Sequence, residues 1–300
     1  MRISVVVPVR NDSRVDDLLA SLAAQREALP FEVLVALDGA RREPWVPETL
    51  DCRLLRLPPR GPYPARNAAA LEARGDILLF TDSDCLCPPD WVARACAAFQ
   101  DPSLEALQGG SVPASRSRLS RWTQLEYDLY VRSQAGSSYR RFCNTRNFAV
   151  RRTIFESRPF PETLLRGGDG MYGRLLEAEG FAIRYEPAWT VVHRHPESRL
   201  VFGRQMYRQG LDGARWSRFS GANLFDDGAS GAGPGRWLRE ATAGSSPLAR
   251  GAVAALSLLA AALAIATVPL PARAGWPVFH RFARAAHLAG RLAGEGETPR

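Results

Sequence analysis

The sequence lacks lysine altogether, so all 39 of its basic residues are arginine, and the net charge is +8 at pH 7. Exclusion this complete is typical of coding bias, so the absence itself carries no functional signal. What remains is a surface able to bind phosphate groups through paired guanidinium hydrogen bonds. Nucleotides and anionic lipid headgroups fit such a surface. Nucleic acid would need the arginines clustered on one face, and they are scattered, so we expect no nucleic-acid partner.

Cysteine is scarce, and the five residues cannot all be paired with one another. Cys85 and Cys87 are separated by one residue, which is the wrong spacing for a C-x-x-C zinc or redox site. Unpaired thiols indicate a reducing compartment. The first apolar run, within MRISVVVPVR, is also too short for a signal peptide. We therefore expect the N-terminal domain to lie in the cytosol.

At 46% hydrophobic and 23% charged residues, the chain is neither disordered nor fibrous, and 300 residues suit one large domain or one domain with an appendage. Short apolar runs alternate with helical patterns, which indicates βαβ units on a parallel sheet. Predicted strands are Ile3–Val9, with its regular part ending at Pro8, Phe31–Leu37, Cys52–Leu57 and Asp76–Phe80. Predicted helices cover 14–26 and Ala65–Ala73.

Polar residues follow three of these strands: Arg10-Asn11-Asp12, Asp38-Gly39 and Asp82-Ser83-Asp84. In open sheets of this kind, ligands bind outside the carboxyl ends of the strands, so the three groups are expected to converge on one crevice. The spacing Asp82-x-Asp84 suits a hard divalent cation that binds one or two carboxylates together with phosphate oxygens. A lone D-x-D also occurs in ordinary turns, and that alternative stays open on this spacing alone.

A series of motifs runs through about residues 1–210: VVVPVRND at the start, Asp38-Gly39, ARNA at 65–68, the D-x-D, Pro88-x-x-Trp91, Gly109-Gly110, NFAVRR at 147–152, GGDGMYGRLLEAEG at 167–180 and VVHRHP at 191–196. In this order and spacing, the motifs resemble the family 2 glycosyltransferases, whose fold is the nucleotide-sugar-binding GT-A fold. The resemblance implies an α/β GT-A fold with a mixed, Rossmann-like sheet flanked by helices. It also implies a transferase that uses a UDP- or GDP-sugar donor, with Mn²⁺ or Mg²⁺ as cofactor.

On the donor side, the resemblance implies that Pro8, Arg10 and Asp38 line the base and ribose pocket. Arg66 would lie near the diphosphate with Asp82. Asp84, with Asp82 behind it, would hold the metal. Taken singly, Asp38-Gly39 could be an ordinary turn and Arg66 a solvated helix residue.

On the acceptor side, the resemblance implies contacts from Gly109, Gly110 and Asn147. The catalytic base in the family is usually the Asp of a Glu-Asp pair that opens a helix. Here the pair is Gly168-Asp169, so Asp169 is the one matching carboxylate and the Glu is missing. The alternative for Asp169 is a helix N-cap.

Two histidines follow a predicted strand near residue 192. His193 and His195 would share one face of that strand, and His193 could complete the metal shell or contact the diphosphate. Structural histidines are the alternative. Further on, the chain has Gln205-x-x-Arg208 without the tryptophan that follows in processive relatives, so a non-processive enzyme is expected. Arg208 could clamp the diphosphate, or could be a solvated surface residue.

The C-terminal part differs in composition from the predicted catalytic domain at 1–219. Residues 220–248 form a predicted linker rich in Gly, Ser and Asp. Residues 249–272 are apolar and long enough to meet the roughly 20 residues that span a bilayer. Residues 273–300 form a basic amphipathic tail that suits an anionic membrane surface. A single span, a surface-lying hairpin and a buried soluble helix all stay open for 249–272.

The resemblance thus implies an inverting glycosyltransferase, and the C-terminal composition predicts that it lies on the cytoplasmic face of the cell membrane, with a glycan or lipid-linked acceptor. A sugar-1-phosphate nucleotidylyltransferase is one alternative. That class needs a glycine-rich phosphate loop after the first strand, and VVVPVRNDSR has no glycine. The other alternative is a membrane-attached scaffold of the same fold without catalysis, which the missing Glu favours.

Overall fold

A computed structural model describes residues 1–133, 142–163, 167–196, 198, 200–208 and 210. The chain divides into two compact units. One comprises Met1–Ser115 with Tyr130–His195, and the other comprises Arg116–Leu129 with Pro196–Arg300. The first unit holds the sheet described below. In the second unit, residues 200–208 are helical.

The strands and helices alternate through most of the first unit, as predicted. The strands are β1 Ile3–Val9, β2 Phe31–Asp38, β3 Cys52–Leu57, β4 Ile77–Thr81, β5 Cys85–Leu86, β6 Ala106–Pro113, β7 Asn147–Arg151 and β8 Ile183–His193. The helices are α1 Val15–Ala23, α2 Pro62–Leu71, α3 Trp91–Ala98, α4 Arg118–Ser133, α5 Arg152–Ser157 and α6 Gly168–Ala178.

The eight strands form one mixed sheet in the order β3-β2-β1-β4-β7-β6-β8-β5. The pairs β1–β2, β1–β4 and β2–β3 are all parallel. β7 lies antiparallel between β4 and β6, and β5 is antiparallel to β8. The parallel sheet predicted from the βαβ pattern is therefore confirmed for the first four strands, and the remainder is mixed.

Helices cover both faces of the sheet. Because successive side chains of a strand point to opposite sides, a single strand can pack against helices on both faces. Val5 and Val7 of β1 pack in one apolar cluster with residues of α1 and α3. Val6 packs in a second cluster with residues of α2 and α6. Burial on both faces explains why β1, β2 and β4 are continuous apolar runs rather than alternating ones.

Pro8 does not end the regular part of β1, contrary to the prediction. The strand pairs with β2 through Val9, whereas it pairs with β4 only through Val6. One edge of β1 has therefore already lost its partner at Pro8. A proline is tolerated at such an edge, because no ladder hydrogen bond requires its missing N–H.

Helix α2 begins at Pro62, three residues before the predicted start. Gly61 precedes it with φ 108, a conformation that glycine adopts readily, and Pro62 occupies the first helical position. Proline is well suited there, since its φ is already helical and the N–H it lacks would have no partner within the helix. α1 is shorter than predicted and ends at Ala23.

The predicted linker, apolar helix and basic tail, residues 220–248, 249–272 and 273–300, lie outside the described residues. Within the described part of the chain, none of the helices is both long and apolar enough to cross a bilayer.

Candidate active site

The loop that follows β1 is tied to the D-x-D segment that follows β4. Arg14 donates from Nε to Asp12 at 2.9 Å, and Ser83 Oγ donates to the same carboxylate at 2.8 Å. The Arg14 guanidinium also lies 3.5 Å from an oxygen of Asp84. Polar groups from two neighbouring strand ends thus meet at one edge, as the sequence predicted.

Asp82 is paired with Arg66 of α2. Arg66 is 4% exposed, so it is not the solvated residue considered as an alternative. Its guanidinium carbon also lies 5.5 Å from the centre of the Tyr63 ring. Within the described residues its buried Nε has no hydrogen-bond partner, and an unpaired buried donor beside a carboxylate suits a further anionic oxygen.

Asp84 lies against His193, because β5 and β8 pair with Cys85 opposite His193. The Asp84 carboxylate oxygen is 3.4 Å from His193 Nε2. Burial alone would raise the pKa of Asp84, but His193 and Arg14 lower it well below its usual range. The second carboxylate of the D-x-D therefore stays ionised.

His193 and His195 contact each other, with their Nδ1 atoms 3.0 Å apart. Burial lowers the pKa of both imidazoles, that of His195 to about 3, which favours their neutral forms. If the hydrogen between the two Nδ1 atoms belongs to His193, its Nε2 is a lone-pair donor facing Asp84.

Asp38 is buried at the end of β2, and its carboxylate holds the loop that leads into α2. It accepts from the backbone N–H of Arg60 at 2.7 Å and of Gly61 at 3.1 Å. Pro8 is half-buried near the end of β1, and Arg10 is exposed just after it. The base-pocket roles of these residues stay predictions.

Asp169 lies inside the first turn of α6 and is half-buried. It accepts from Tyr63 Oη at 3.2 Å, from Gly170 N at 2.9 Å and from Thr145 N at 3.4 Å. The residue preceding the helix is Gly167, so the alternative of Asp169 as the N-cap is wrong. Burial raises the pKa of Asp169, and the charge of Asp82 adds to that rise.

Two of the residues predicted for the acceptor side serve the packing of the sheet. Asn147 is 1% exposed, and its side chain bonds Trp91 Nε1, Gly110 O and Trp189 O at 2.7 to 2.9 Å. A Cβ at Gly109 would collide with the Asn147 amide. Arg208, in the second unit, is exposed. Acceptor and diphosphate roles at these positions stay predictions.

Three residues of this edge were missed from the sequence: Arg14, Tyr63 and Arg146. Arg14 was passed over as part of a helix, although it lies close to the polar group after β1. Arg146 acts electrostatically on both Asp84 and His193. No pattern in the sequence links Tyr63 to Asp169, 106 positions away. The one available signal was glycine at 168, since a missing side chain leaves room for a neighbouring one.

Comparison with known proteins gives relatives with glycosyltransferase names. Glycosyltransferase AglE of Haloferax volcanii is 27% identical over 207 residues, which are 65% of this chain and 66% of that protein. An N-acetylglucosaminyltransferase of Mesorhizobium japonicum is 29% identical over 150 residues, 46% of this chain and 35% of the relative. The chain therefore spans about two-thirds or less of the length of these curated relatives.

Solved structures share the fold. A mannosyltransferase of Pyrobaculum calidifontis, in complex with GDP-Man and Mn²⁺, has a TM-score of 0.61 at 20% identity, covering 95% of this chain and 85% of that one. Residues 1–349 of S. aureus TarS, in complex with UDP-GlcNAc, have a TM-score of 0.52 at 16% identity, covering 98% and 90%. The predicted GT-A fold is confirmed as a mixed sheet with flanking helices. A family model described as glycosyl transferase family 2 matches residues 4–159, more than half of the sequence, and the chain thus belongs to glycosyl transferase family 2.

Proposed function

We propose that this protein is an inverting glycosyltransferase that moves a sugar from a nucleotide-diphospho-sugar donor to an acceptor hydroxyl in one displacement. Asp169 is the base, Arg66 and Asp82 lie on the diphosphate side, and Asp84 with His193 holds a divalent cation. The donor is a UDP- or GDP-sugar, in line with the GDP-Man and UDP-GlcNAc complexes of the structural neighbours.

One observation carries this proposal: α2 contacts the carboxylates of both sides. Tyr63 bonds to Asp169, and Arg66, three residues further along the helix, pairs with Asp82. Residues at i and i+3 lie on the same face of a helix, so one face of α2 contacts both carboxylates. A single displacement needs this arrangement, with a base on one side of the sugar and a stabilised leaving group on the other.

In the proposed reaction, the acceptor oxygen attacks the anomeric carbon as Asp169 takes the hydroxyl proton. The bond from that carbon to the diphosphate breaks, the nucleoside diphosphate leaves, and the anomeric configuration is inverted. Burial gives Asp169 a raised pKa, which makes it a stronger base than a solvated aspartate. General-base help of this kind contributes about 10²–10⁴-fold.

The residues present fit a divalent cation. Two ligands of one ion at about 2.1 Å, in neighbouring octahedral positions, stand about 3.0 Å apart. The Asp84 and His193 donor atoms are 3.4 Å apart, close to that spacing. The described residues contain no group of three or more His, Cys, Asp or Glu arranged for a metal. Mg²⁺ sites on phosphate substrates commonly use one or two protein carboxylates, with phosphate oxygens and water completing the shell. When bound, the cation would neutralise charge on the diphosphate leaving group.

The base assignment is tested by Asp169→Asn. We expect turnover to fall about 10²-fold or more, with donor affinity by calorimetry unchanged. Asp90→Asn is a matched control, because Asp90 precedes α3 and its side chain, which pairs with Arg94, is 50% exposed. Near-normal turnover in Asp169→Asn would remove Asp169 as the base. The anomeric configuration of the product, read by NMR, tests inversion directly.

Donor and metal are tested together by thermal-shift measurements with UDP-, GDP-, CMP- and dTDP-sugars, each with and without Mn²⁺. A ligand that binds the folded state raises the Tm by mass action. We expect a Mn²⁺-dependent shift with a UDP- or GDP-sugar, and its loss in Asp84→Ala. No shift with any donor would favour the alternative of a non-catalytic scaffold.

We also propose a membrane location and a cell-envelope or lipid-linked glycan as acceptor. The support is the sequence of residues 249–300, where an apolar segment precedes a basic amphipathic one. Cell fractionation of the full chain beside a chain ending at residue 248 tests this: the full chain should sediment with membranes and the shortened chain should not. The missing tryptophan after Arg208 supports transfer of single sugars, which product length would check.

A further inference from the structure

The glycine that stands in place of the family's glutamate has a neighbour that fills its space. A Cβ built at Gly168 would lie 2.7 to 2.9 Å from three ring atoms of Tyr63. Real Cβ contacts are essentially never that short, and the ring atoms involved are not the free end of a flexible chain. With Tyr63 in this position, residue 168 can carry no side chain.

The Tyr63 ring is fixed in place by its surroundings. It is 4% exposed and packs against Phe160 with ring centroids 5.8 Å apart. The Arg66 guanidinium carbon lies 5.5 Å from the ring centre on its face. Its backbone belongs to the first turn of α2, which Asp38 holds through the N–H groups of Arg60 and Gly61. The direction of the hydroxyl is therefore set by the fold.

That hydroxyl donates to Asp169 Oδ1 at 3.2 Å. The same oxygen accepts from Gly170 N at 2.9 Å. The other oxygen, Oδ2, accepts from Thr145 N over a longer 3.4 Å. Two donors on Oδ1 fix the carboxylate plane and leave Oδ2 as the oxygen better placed to take a proton.

We propose that Tyr63 is a positioning residue for the base: its ring takes the space left by glycine at 168, and its hydroxyl orients the Asp169 carboxylate toward the acceptor. This inference rests on the proposed function, in which Asp169 is the base. It gives the glycine at 168 a reason, since a side chain there would displace the ring that orients the base. The glycine at 168 is then compatible with catalysis, because it leaves room for the residue that orients the base.

Tyr63→Phe tests the hydroxyl while keeping the ring. We expect kcat to fall about tenfold, consistent with one lost hydrogen bond to a charged group, and donor KM to stay unchanged. A hydroxyl donor favours the charged carboxylate, so its removal should move the acid limb of the kcat/KM profile to higher pH. A purely structural role for Tyr63 would leave that limb where it is.

Tyr172→Phe is the matched control. Tyr172 is buried in the same apolar cluster, and its hydroxyl has no partner within the described residues. We expect its kcat and pH profile to match those of the original protein. A loss of activity here as large as in Tyr63→Phe would show that any buried hydroxyl matters equally, and would overturn the proposal.

Gly168→Ala tests whether the Tyr63 ring needs the space beside residue 168. The added Cβ should displace the ring and lower kcat at least tenfold, since a displacement of about 1 Å at a reacting group strongly slows the reaction. In a Tyr63→Ala background the same substitution should cost little further, because the ring is gone. Equal costs of Gly168→Ala in both backgrounds would contradict the packing part of the proposal. Circular dichroism establishes that each variant is folded.

The titration of the Asp169 carboxyl carbon, followed by NMR, gives a readout that needs no turnover. Its signal is assigned by its loss in Asp169→Asn. The pKa should be higher in Tyr63→Phe than in the original protein. An unchanged pKa together with an unchanged pH profile would overturn the positioning role while leaving the proposed function intact. If the protein transfers no sugar at all, the proposed function fails, and the NMR comparison still decides whether Tyr63 orients Asp169.

Discussion

The two halves of the sheet are built from different kinds of side chain. In the first half, strands β1, β2 and β4 are filled mostly by Val, Ile, Leu and Phe and are buried on both faces, whereas β3, at the edge, contains two arginines and is only partly buried. The second half, β5 to β8, contains fully buried amides. Gln108 of β6 bonds to Gly109 O, Asn147 O and Asn144 N.

Asn147 is the centre of the polar half. Its side chain joins Trp91 to the backbone of β6 and β8, and the indoles of Trp91 and Trp189 stack with centroids 5.4 Å apart. The stabilisation from apolar packing is roughly proportional to the apolar area buried and tolerates some change in side-chain shape. A buried amide, in contrast, needs every hydrogen-bond partner in place. The comparison teaches that substitutions in the two halves fail for different reasons.

The largest loss of stability should come from Asn147→Asp. The two shapes are nearly the same, but a carboxylate cannot donate to Gly110 O and Trp189 O, which the amide contacts at 2.9 and 2.7 Å. A buried charge would then face two carbonyl oxygens. We expect a loss of about 4 kcal/mol in the free energy of unfolding, measured with urea. A loss below about 1 kcal/mol would break the comparison, because the polar half would then behave like an apolar one.

Leu79→Ala in β4 is the corresponding change in the apolar half. Leu79 is completely buried in the cluster that includes α1 and α3. We expect a loss of about 3 kcal/mol from lost burial and the cavity left behind. Leu79→Met should recover most of that stability, because it nearly conserves volume. If the methionine variant were as unstable as the alanine one, shape rather than apolar burial would govern this half too.

The smallest effect on stability should come from Glu32→Gln, which changes one of the few buried polar residues of the first half. Glu32 accepts from Ser4 Oγ at 2.7 Å and Arg74 N at 2.6 Å, and it pairs with Arg53. Burial alone would raise its pKa, but these bonds lower it below the usual 4.5. A lowered folded-state pKa stabilises the fold above pH 4.5, and that contribution disappears as the pH falls through the folded-state value.

The expected cost of Glu32→Gln is about 1 kcal/mol at pH 7. The difference in free energy of unfolding between the variant and the original protein should become smaller below about pH 4.5. Glu32 lies near the start of β2, at the opposite end of the strand from the candidate site, so kcat should be unchanged. A drop in kcat would show that the two ends of the first half are coupled.

The same contrast explains what the sequence could predict. β1 was predicted with its observed limits, because a continuous apolar run of that length is typical of a buried parallel strand. The limits of β3 were also predicted as observed, although this strand contains two arginines and is only partly buried. β6 could not be placed in the same way, since Gln108 and Gly109 interrupt the pattern and their structural role depends on Asn147, far along the chain. For β8, a strand was predicted only near residue 192, whereas the observed strand covers Ile183–His193. β7 also enters the sheet out of sequence order, which no local pattern records.

Within the site, residues at strand ends were predictable and residues on helices were less so. The D-x-D, Asp38 and the loop after β1 follow from the rule that parallel strands present their carboxyl ends at one edge. The pairing of Arg66 with Asp82 and the contact of Tyr63 with Asp169 depend on how α2 is rotated about its axis. Three features set that rotation: Gly61, Pro62 and the hydrogen bonds of Asp38.

Helix α2 therefore has a consequence for protein engineering. Its start is held by Asp38, and its side chains contact Asp82 and Asp169. In a chimera with another member of the family, the interchangeable piece is not a single strand or loop. It is the helix together with those three aspartates and the glycine at 168. Recombination breakpoints that keep this set from one parent should give active hybrids more often than breakpoints that divide it.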